Sequence, residues 1–307
     1  MTSNLMIYTR MMMTTLNQLH IRPAQSTDHE SVIEWCNQLW NGDHDYIDEV
    51  WDAWQAEGNL FVGCQPDGAA PVTLLRLRQL SPTEAWFGGL RVHPALQGRG
   101  VGRQLIAYAF EWARQRGATT LGYMTETANE RMHHLGAALG FRHLGTTAWH
   151  TVAAITPRAA AVTHDAELVD LAHAPNLAAQ GGLYFYGWAV QRLTIERLRQ
   201  HAAAAELLVN ATGSAWLIHA MQADDLRYIS HAEGNAAELR ELIAHVFTSD
   251  TIRVMCPIWQ NTPLAEMAQE LGFAFADEQY SIFAANVVNP HPVRFAATPF
   301  PQGGEGE

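Results

Sequence analysis

The sequence predicts an α+β fold, and the order of its strand-like and helical runs is the main reason. The strand-like run Trp86 to Val92 is followed by the turn His93-Pro94, a glycine-rich stretch and a helical run from Gly102 to Arg116. A second strand-like run, Thr120 to Glu126, comes directly after that helix. Strands that alternate with helices predict a sheet with helices packed against it. At 307 residues the chain is long enough for two such domains.

The glycine-rich stretch has the sequence Gln97-Gly-Arg-Gly-Val-Gly102. Glycine reaches left-handed backbone conformations that other residues avoid, so successive N–H groups can point at one spot. The N-terminus of the following helix adds partial positive charge there, which predicts a phosphate-binding loop. The G-x-G-x-x-G spacing of dinucleotide-binding folds is absent. The chain also contains no lysine, which excludes a Walker NTPase and a pyridoxal-phosphate Schiff base.

Composition restricts the partners of the protein. The formal net charge is -12, which disfavours binding to nucleic acids and favours small cationic substrates. The three cysteines are Cys36, Cys64 and Cys256; they are far apart and show no zinc spacing, so we expect buried thiols, a reducing compartment and no metal. No 18-residue apolar run and no signal-peptide core are present, which predicts a cytoplasmic protein that does not bind membranes.

Three motifs together resemble a known superfamily. Gln-x-x-Gly-x-Gly follows a strand that ends in Val-His-Pro, and Asn129 precedes Gly140-Phe141 by eleven and twelve residues. Near the N-terminus, Ile21-Arg22-Pro23-Ala24 with Asp28 is typical of a first strand and the start of a first helix. These motifs span about 120 residues and resemble the GNAT superfamily of acetyl-CoA-dependent N-acetyltransferases. The resemblance implies a three-layer α/β/α domain with acetyl-CoA as co-substrate and no metal.

The resemblance also assigns cofactor contacts. It implies that backbone N–H groups of residues 98 to 103 bind the pyrophosphate, while the strand before the loop pairs with the pantetheine arm and polarises the thioester carbonyl. The pair Gly88-Gly89 fits a β-bulge in that strand. Asn129 is expected to contact the pantetheine arm, to cap a helix, or both. The expected cofactor residues are Leu90, Arg91, Val92, Gln97, Gly98, Arg99, Gly100, Val101, Gly102, Arg103 and Asn129. Arg99 and Arg103 are either phosphate partners or ordinary surface arginines.

Proton transfer has several candidates. Glu126, at the end of a strand and three residues before Asn129, is the first choice for a general base, and Glu84 is the second. Either carboxylate is otherwise a solvated group at a strand end. Many relatives have a tyrosine near the departing sulfur where this chain has Gly136. His133, one helical turn earlier, is a candidate proton donor; alternatively the thiolate leaves unaided.

The run from Asp43 to Trp54 is the expected acceptor-binding region, by resemblance to helices that line substrates in the superfamily. Its apolar residues have helical spacing and predict a buried helix face made of Ile47, Val50, Trp51 and Trp54. Asp45 and Asp48 fit an N-cap and an acidic first turn. Asp43 and Tyr46 are left as candidates to line a pocket for an ammonium group.

The C-terminal half contains a second, altered copy. Asn261 is followed by Gly272-Phe273 at the same spacing as in the first copy. Upstream, two alternating runs predict a hairpin around Asp224-Asp225, and a helix follows at Ala236 to Phe247. Between them Ala232-Glu233-Gly234-Asn235 offers one glycine and an acidic residue that would face a pyrophosphate of like charge. This predicts a degenerate GNAT-like domain without cofactor; the alternative is an unrelated α/β domain.

These observations predict a domain organisation and a reaction. The segments are a flexible leader (1–18), a catalytic GNAT domain (19–155), a linker (156–164), the degenerate domain (165–290) and a flexible tail (291–307). The expected reaction is acetyl transfer to a primary amine of a small molecule by direct attack in a ternary complex. The alternatives are a non-catalytic acyl-CoA sensor and an acetyltransferase acting on protein N-termini or lysines.

Overall fold

A computed structural model of the chain describes residues 19–39, 44–66, 68, 70–155, 161–223, 225–247 and 253–287. The predicted leader, the predicted tail and Asp43 lie outside these ranges. The chain forms two compact units. Unit 1 comprises Met1–Leu121, Ala137–Gly140 and Ala285–Glu307, and unit 2 comprises Gly122–Gly136 and Phe141–Ala284.

Unit 1 is built on an antiparallel sheet with strand order β1-β2-β3-β4. The strands are β1 (His20–Pro23), β2 (Leu60–Cys64), β3 (Pro71–Gln79) and β4 (Glu84–Val92), and the helices are α1 (His29–Cys36), α2 (Ile47–Ala56) and α3 (Val101–Gln115). β5 (Thr120–Glu126) begins in unit 1 and passes into unit 2 at Gly122. The N–H groups of Thr119 and Thr120 both donate to the carbonyl of Thr83, at 2.8 and 3.0 Å, so β5 starts beside the start of β4.

The core of unit 1 confirms the predicted helix face. Ile47 and Trp51 are buried, and Val50 and Trp54 pack against the same cluster. The cluster joins both N-terminal helices to the sheet through Val32, Trp35, Cys36, Leu60, Val62 and Leu74. The predicted start of the first helix is also confirmed: the carboxylate of Asp28 accepts from the N–H of Gln25 at 2.8 Å, and α1 begins at the next residue.

The bulge predicted at Gly88-Gly89 is present. Arg76 lies opposite Gly88 and Leu74 lies opposite Arg91, so one residue of β3 faces two residues of β4. Gly89 has φ +62°, and a Cβ atom there would lie 2.7 Å from Cζ3 of Trp54. Only glycine satisfies both the backbone angle and the close approach of the indole ring.

Unit 2 contains the predicted hairpin and the predicted helix. The sheet order from β5 onward is β5-β14-β6-β13-β12-β11-β10-β7, and β8 and β9 form a separate hairpin. The strands are β6 (Arg142–Val152), β7 (Val162–Thr163), β8 (Leu183–Tyr186), β9 (Ala189–Arg192), β10 (Leu207–Asn210), β11 (Trp216–Ala223), β12 (Leu226–Glu233), β13 (Arg253–Trp259) and β14 (Phe273–Asn286). The helices are α4 (Glu130–Ala138), α5 (Pro175–Ala179), α6 (Ile195–Ala203), α7 (Ala236–Val246) and α8 (Pro263–Met267). No helix in the described ranges is long and apolar enough to cross a membrane.

The compact units differ from the segments 19–155 and 165–290 that the sequence predicts. β6, which ends the first predicted domain, pairs antiparallel with β13 on one side and with β14 on the other. β14 lies between β5 and β6 in the sheet order. The last residues of the predicted linker include β7, which pairs with β10. Strand partners are chosen by long-range backbone hydrogen bonds, which local sequence patterns do not encode.

The repeated Asn…Gly-Phe segments end their helices in the same way. Gly140 and Gly272 have φ +84° and +82°. The N–H of Phe141 donates to the carbonyl five residues back at 3.0 Å, and Phe273 repeats this bond at 2.9 Å. The helix starts differ: Asn129 caps α4, whereas Thr262 rather than Asn261 caps α8.

Candidate active site

The glycine-rich loop of unit 1 presents a row of free backbone N–H groups. Gly98 and Gly100 have φ +74° and +80°, and no atom lies within 4 Å of the Cβ position of either residue. Within the part of the chain that the structure describes, no N–H group from Gly98 to Arg103 has an acceptor. The last three of these belong to the first turn of α3, where the helix dipole favours an anion. The arrangement fits a pyrophosphate group.

The loop is held at its start and carries two cationic side chains. The side-chain amide of Gln97 donates to the carbonyl of Val92 at 3.2 Å, which fixes the loop to the end of β4. Arg99 and Arg103 are exposed and make no ion pair within the described ranges, so both are available to an anionic ligand. Beside the loop is a shallow depression lined by Leu19, Gln65, Pro66, Leu96, Arg99 and Val101.

Arg91 lies in the strand segment Leu90–Val92, but its side chain is committed elsewhere. Its Nε and Nη2 atoms donate to the two carboxylate oxygens of Asp45 at 2.8 and 3.1 Å. Burial disfavours the charged guanidinium, but the hydrogen bonds to Asp45 and the electrostatic effects of Tyr46, Asp45 and Cys36 together raise the pKa of Arg91 above its ordinary value. In this segment the side chain of Arg91 is therefore not available to a ligand. The pair joins residues 46 positions apart, and no local sequence pattern indicates it.

Asp45 and Tyr46 lie at the start of α2. Asp45 is buried, and its Oδ1 also accepts from the N–H of Ile47 at 3.2 Å. The N-cap of α2 is Tyr46, so Asp45 lies one residue before the N-cap position that the sequence predicts for it. Tyr46 is 46% exposed, and its ring lies 5.1 Å from Cζ of Arg91. The Tyr46 ring also makes an edge-to-face contact with the ring of Trp54, with the ring centroids 6.1 Å apart. The partly exposed ring of Tyr46 thus packs against the buried ion pair between Arg91 and Asp45.

The two candidate bases have different surroundings. Glu126 is exposed at the end of β5, and its carboxylate has no partner in the described ranges. Glu84 is half-buried and accepts from the hydroxyl of Ser81 at 3.0 Å. Glu84 opens β4, whereas the loop follows the other end of that nine-residue strand, a span of roughly 26 Å. Of the two carboxylates, that of Glu126 is the more exposed, and it makes no hydrogen bond in the described ranges.

Asn129 caps α4. Its Oδ1 accepts from the N–H of Met132 at 3.2 Å, and its Nδ2 donates to the hydroxyl of Thr125 at 2.9 Å. One lone pair of Oδ1 and one N–H of the amide remain for another partner. The capping role that the sequence predicts is therefore present, and it leaves capacity for a cofactor amide.

His133 and Gly136 lie on α4. The Nε2 atom of His133 is 3.3 Å from the carbonyl of Glu126; because a carbonyl only accepts, Nε2 carries the proton in the neutral ring. The Nδ1 atom of that tautomer has no proton, so His133 donates from Nδ1 only as an imidazolium. At Gly136 an added Cβ would lie 2.0 Å from the hydroxyl of Tyr123, so this position has no room for a side chain.

Comparison with known proteins agrees with this geometry. Residues 29–141 match the Acetyltransferase (GNAT) family. The chain is 30% identical over 129 residues to the aminoglycoside N(6')-acetyltransferase type 1 of Stenotrophomonas maltophilia, and the match covers 84% of that protein and 39% of this chain. This protein belongs to the GNAT acetyltransferase family. The GCN5-related N-acetyltransferase structure from Sphaerobacter thermophilus matches 88% of the chain and 96% of its own length, with 16% identity and a TM-score of 0.58. The fold is therefore a mixed α+β fold made of two GNAT domains, and the protein is an N-acetyltransferase.

The second GNAT copy has no open loop. Gly234 has φ +134°, and a Cβ atom there would lie 2.5 Å from Cβ of Ala215, so the backbone is covered. The next residue, Asn235, caps α7 by accepting from the N–H of Glu238 at 3.1 Å. The first turn of α7 thus has a capping side chain and a covered glycine before it, whereas the loop before α3 is open.

The sequence analysis expects Glu233 to face the place where a pyrophosphate would lie, but the structure buries its carboxylate. It is 3% exposed, and its carboxylate accepts from the N–H groups of Asn176 and Leu177 at 3.1 and 2.6 Å and pairs with His231 at 2.9 Å. The side-chain amide of Asn176 donates to the carbonyl of Ala232 at 2.9 Å and accepts from the N–H of Leu264 at 2.7 Å. The first turn of α5 therefore binds the carboxylate and a backbone carbonyl at the end of β12.

Proposed function

We propose that this GNAT enzyme transfers the acetyl group of acetyl-CoA to a primary amine of a small molecule by direct attack in a ternary complex. The observation that carries the proposal is the row of N–H groups from Gly98 to Arg103 without an acceptor in the described ranges. These groups hold the pyrophosphate, and Arg99 and Arg103 neutralise its charge. Acetyl-CoA supplies the thioester, and the backbone of Leu90–Val92 orients it.

Three observations support a small cationic acceptor. The relative from Stenotrophomonas maltophilia is named for acetylation of aminoglycosides, which are amines of small molecules. The formal net charge of this chain is -12, which attracts cations. Tyr46 is 46% exposed, so part of its aromatic ring is accessible to an ammonium group. Asp43, which lies outside the described residues, keeps its predicted role in the same site.

The chain's own groups supply the proton transfer. The free carboxylate of Glu126 removes the proton of the attacking ammonium group, directly or through water. Asn129 uses the remaining capacity of its amide to hold the pantetheine arm. With no side chain at Gly136 and the Nε2 proton of His133 directed at a carbonyl, the thiolate leaves without a dedicated donor, which its ordinary pKa near 8.5 permits.

The test is release of free thiol from acetyl-CoA in the presence of a panel of amines. We expect release only when a small primary amine is present, with aminoglycosides and simple diamines in the panel. Tight acetyl-CoA binding without release for any amine would instead support the acyl-CoA sensor. A peptide N-terminus or a lysine peptide that reacts faster than every small amine would support a protein acetyltransferase.

A further inference from the structure

Strand β14 brings residues of the C-terminal copy alongside β5, the strand that ends at Glu126. The N–H of Thr127 donates to the carbonyl of Gln279 at 2.9 Å, and the N–H of Val287 donates to the carbonyl of Thr119 at 2.8 Å. From one bond to the other, both strands advance by the same number of residues in opposite directions. The two strands are therefore antiparallel, and both bonds belong to one register.

This register places Glu126 directly opposite Tyr280. In an antiparallel pair, opposite residues that exchange backbone bonds alternate with opposite residues that exchange none, and the side chains of the second kind are closer. The neighbouring residues are a bonded pair, so Glu126 and Tyr280 are of the closer kind, with Cβ atoms about 4.5–5.5 Å apart. The stacked rings of Tyr123 and Phe283, with centroids 5.0 Å apart, agree with the same register.

The phenol of Tyr280 is held by a carboxylate of its own strand. Its hydroxyl donates to Oε2 of Glu278 at 2.6 Å. Because residues two apart in a strand share a face, Glu278, Tyr280 and the opposite residue Glu126 lie on one face of the sheet. Both carboxylates are exposed and Tyr280 is half-buried, so a ligand reaches all three from solvent. With its proton directed at Glu278, the phenol oxygen offers a ligand its lone pairs, and it acts as an acceptor.

We propose that Tyr280 binds the acceptor amine beside Glu126. The phenol oxygen accepts one N–H of the ammonium group, and the Glu126 carboxylate accepts another. Glu126 then takes that proton: the N–H bond breaks, an O–H bond forms on the carboxylate, and the electron pair stays on nitrogen. Since the bond to Tyr280 persists, the nitrogen does not rotate and its lone pair keeps one direction. The inference rests on the proposed function, because it takes Glu126 as the base, and it adds that a strand of the C-terminal copy contributes to acceptor binding.

The first experiment measures amine binding without turnover. The full chain, labelled with ¹³C in its tyrosine rings and free of acetyl-CoA, is titrated with 1,4-diaminobutane and followed by NMR. The variant Tyr280→Phe assigns the Tyr280 resonances, for which we expect a saturable shift. The probe 1,4-butanediol has the same carbon chain without ammonium groups and should cause no shift. A shift without thiol release in the amine panel would contradict the proposed reaction alone, whereas thiol release without a shift would overturn the role of Tyr280 alone.

The second experiment separates the two substrates by steady-state kinetics, with the amine that releases thiol fastest. Tyr280→Phe keeps the ring and removes the acceptor oxygen, so we expect the KM for the amine to rise roughly tenfold and the KM for acetyl-CoA to stay unchanged. Glu278→Gln keeps an acceptor for the phenol proton and should cause a smaller rise. Tyr186→Phe is the matched control, because it removes another phenol that donates to a carboxylate, that of Glu206, and both KM values should stay unchanged. An unchanged amine KM in Tyr280→Phe, or an equal rise in both KM values, would overturn the proposal.

Discussion

The hydroxyl of Tyr123 fills the space beside Gly136. A Cβ atom at residue 136 would lie 2.0 Å from this oxygen, which donates to the carbonyl of Met132 at 3.1 Å. The Tyr123 ring is stacked on Phe283 with centroids 5.0 Å apart, and burial raises the pKa of its hydroxyl. The absence of a tyrosine at position 136 is therefore a requirement of packing in this chain, set by a tyrosine on the neighbouring strand.

Replacing Gly136 should destabilise the protein through this contact. Alanine normally stabilises a helix interior by about 1 kcal/mol relative to glycine. Here we expect Gly136→Ala to lower the free energy of unfolding by roughly 1–3 kcal/mol, because the methyl group overpacks the Tyr123 hydroxyl. Denaturant unfolding measures the effect. In the Tyr123→Phe background the loss should shrink, since the closest atom is gone; an equal loss in both backgrounds would contradict the explanation.

Acetyl-CoA binding should depend on the loop glycines. Gly100→Glu places a carboxylate among the free N–H groups at a residue with φ +80°, and we expect binding to fall below detection in calorimetry. Gly102→Glu should act in the same way. Gly58→Glu is the matched control, because Gly58 also has positive φ (+69°) and open space around it but lies after α2. Unchanged affinity in a folded Gly100→Glu protein would show that the loop is not the pyrophosphate site.

The general base should be Glu126. Glu126→Gln should lower turnover at neutral pH by roughly 10²-fold or more, with part of the rate returning at high pH, where the amine is deprotonated by solvent. Glu84→Gln serves as the control and should stay close to the wild-type rate, because the Glu84 carboxylate is bonded to Ser81 at the far end of β4. Steady-state rates across pH decide the matter, and a full-rate Glu126→Gln enzyme would remove this residue from the mechanism.

One molecule of acetyl-CoA should bind per chain. In the described residues, the N–H groups from Gly98 to Arg103 form a continuous run without an acceptor around two exposed glycines, whereas the corresponding helix of the second copy is capped at Glu238 by Asn235 and its preceding glycine, Gly234, is covered by Ala215. Titration calorimetry should give a stoichiometry of one, and Gly100→Glu should abolish all of the heat. A second equivalent that survives this substitution would place a cofactor in the C-terminal copy.

Stability should fall in mild acid because of His219. Burial, with Arg227 nearby, lowers the pKa of His219 to about 4. The unfolded chain, with a histidine pKa near 6.5, binds a proton that the folded chain does not, so stability is lost as pH falls from about 6.5 toward 4. The change amounts to at most ~3 kcal/mol. Glu206, His164 and His201 also act on this ring. Unfolding at several pH values should show a flatter profile in His219→Gln; an unchanged slope would assign the effect to other groups.

Local backbone requirements made part of this protein predictable. The loop at Gly98 and Gly100, the start of α1 after Asp28 and the helix ends at Gly140 and Gly272 are all set by φ angles and by hydrogen bonds within a few residues. Glycine, capping residues and helical periodicity report such constraints directly. For the same reason the buried face of α2 and the hairpin of β11 and β12 could be predicted.

Relationships between distant residues required the tertiary structure. The bond of Arg91 to Asp45, the placement of β14 beside β6 and the burial of Glu233 against Asn176 each join residues far apart in the chain. The position of Tyr280 opposite Glu126 is likewise visible only once β14 is in place. The sequence alone determined the family, the glycine-rich loop and the repeat, because each depends on residues close together in the chain. The tertiary structure decided which strands pair and which charged groups are free, because those depend on competition among distant partners for burial and hydrogen bonds.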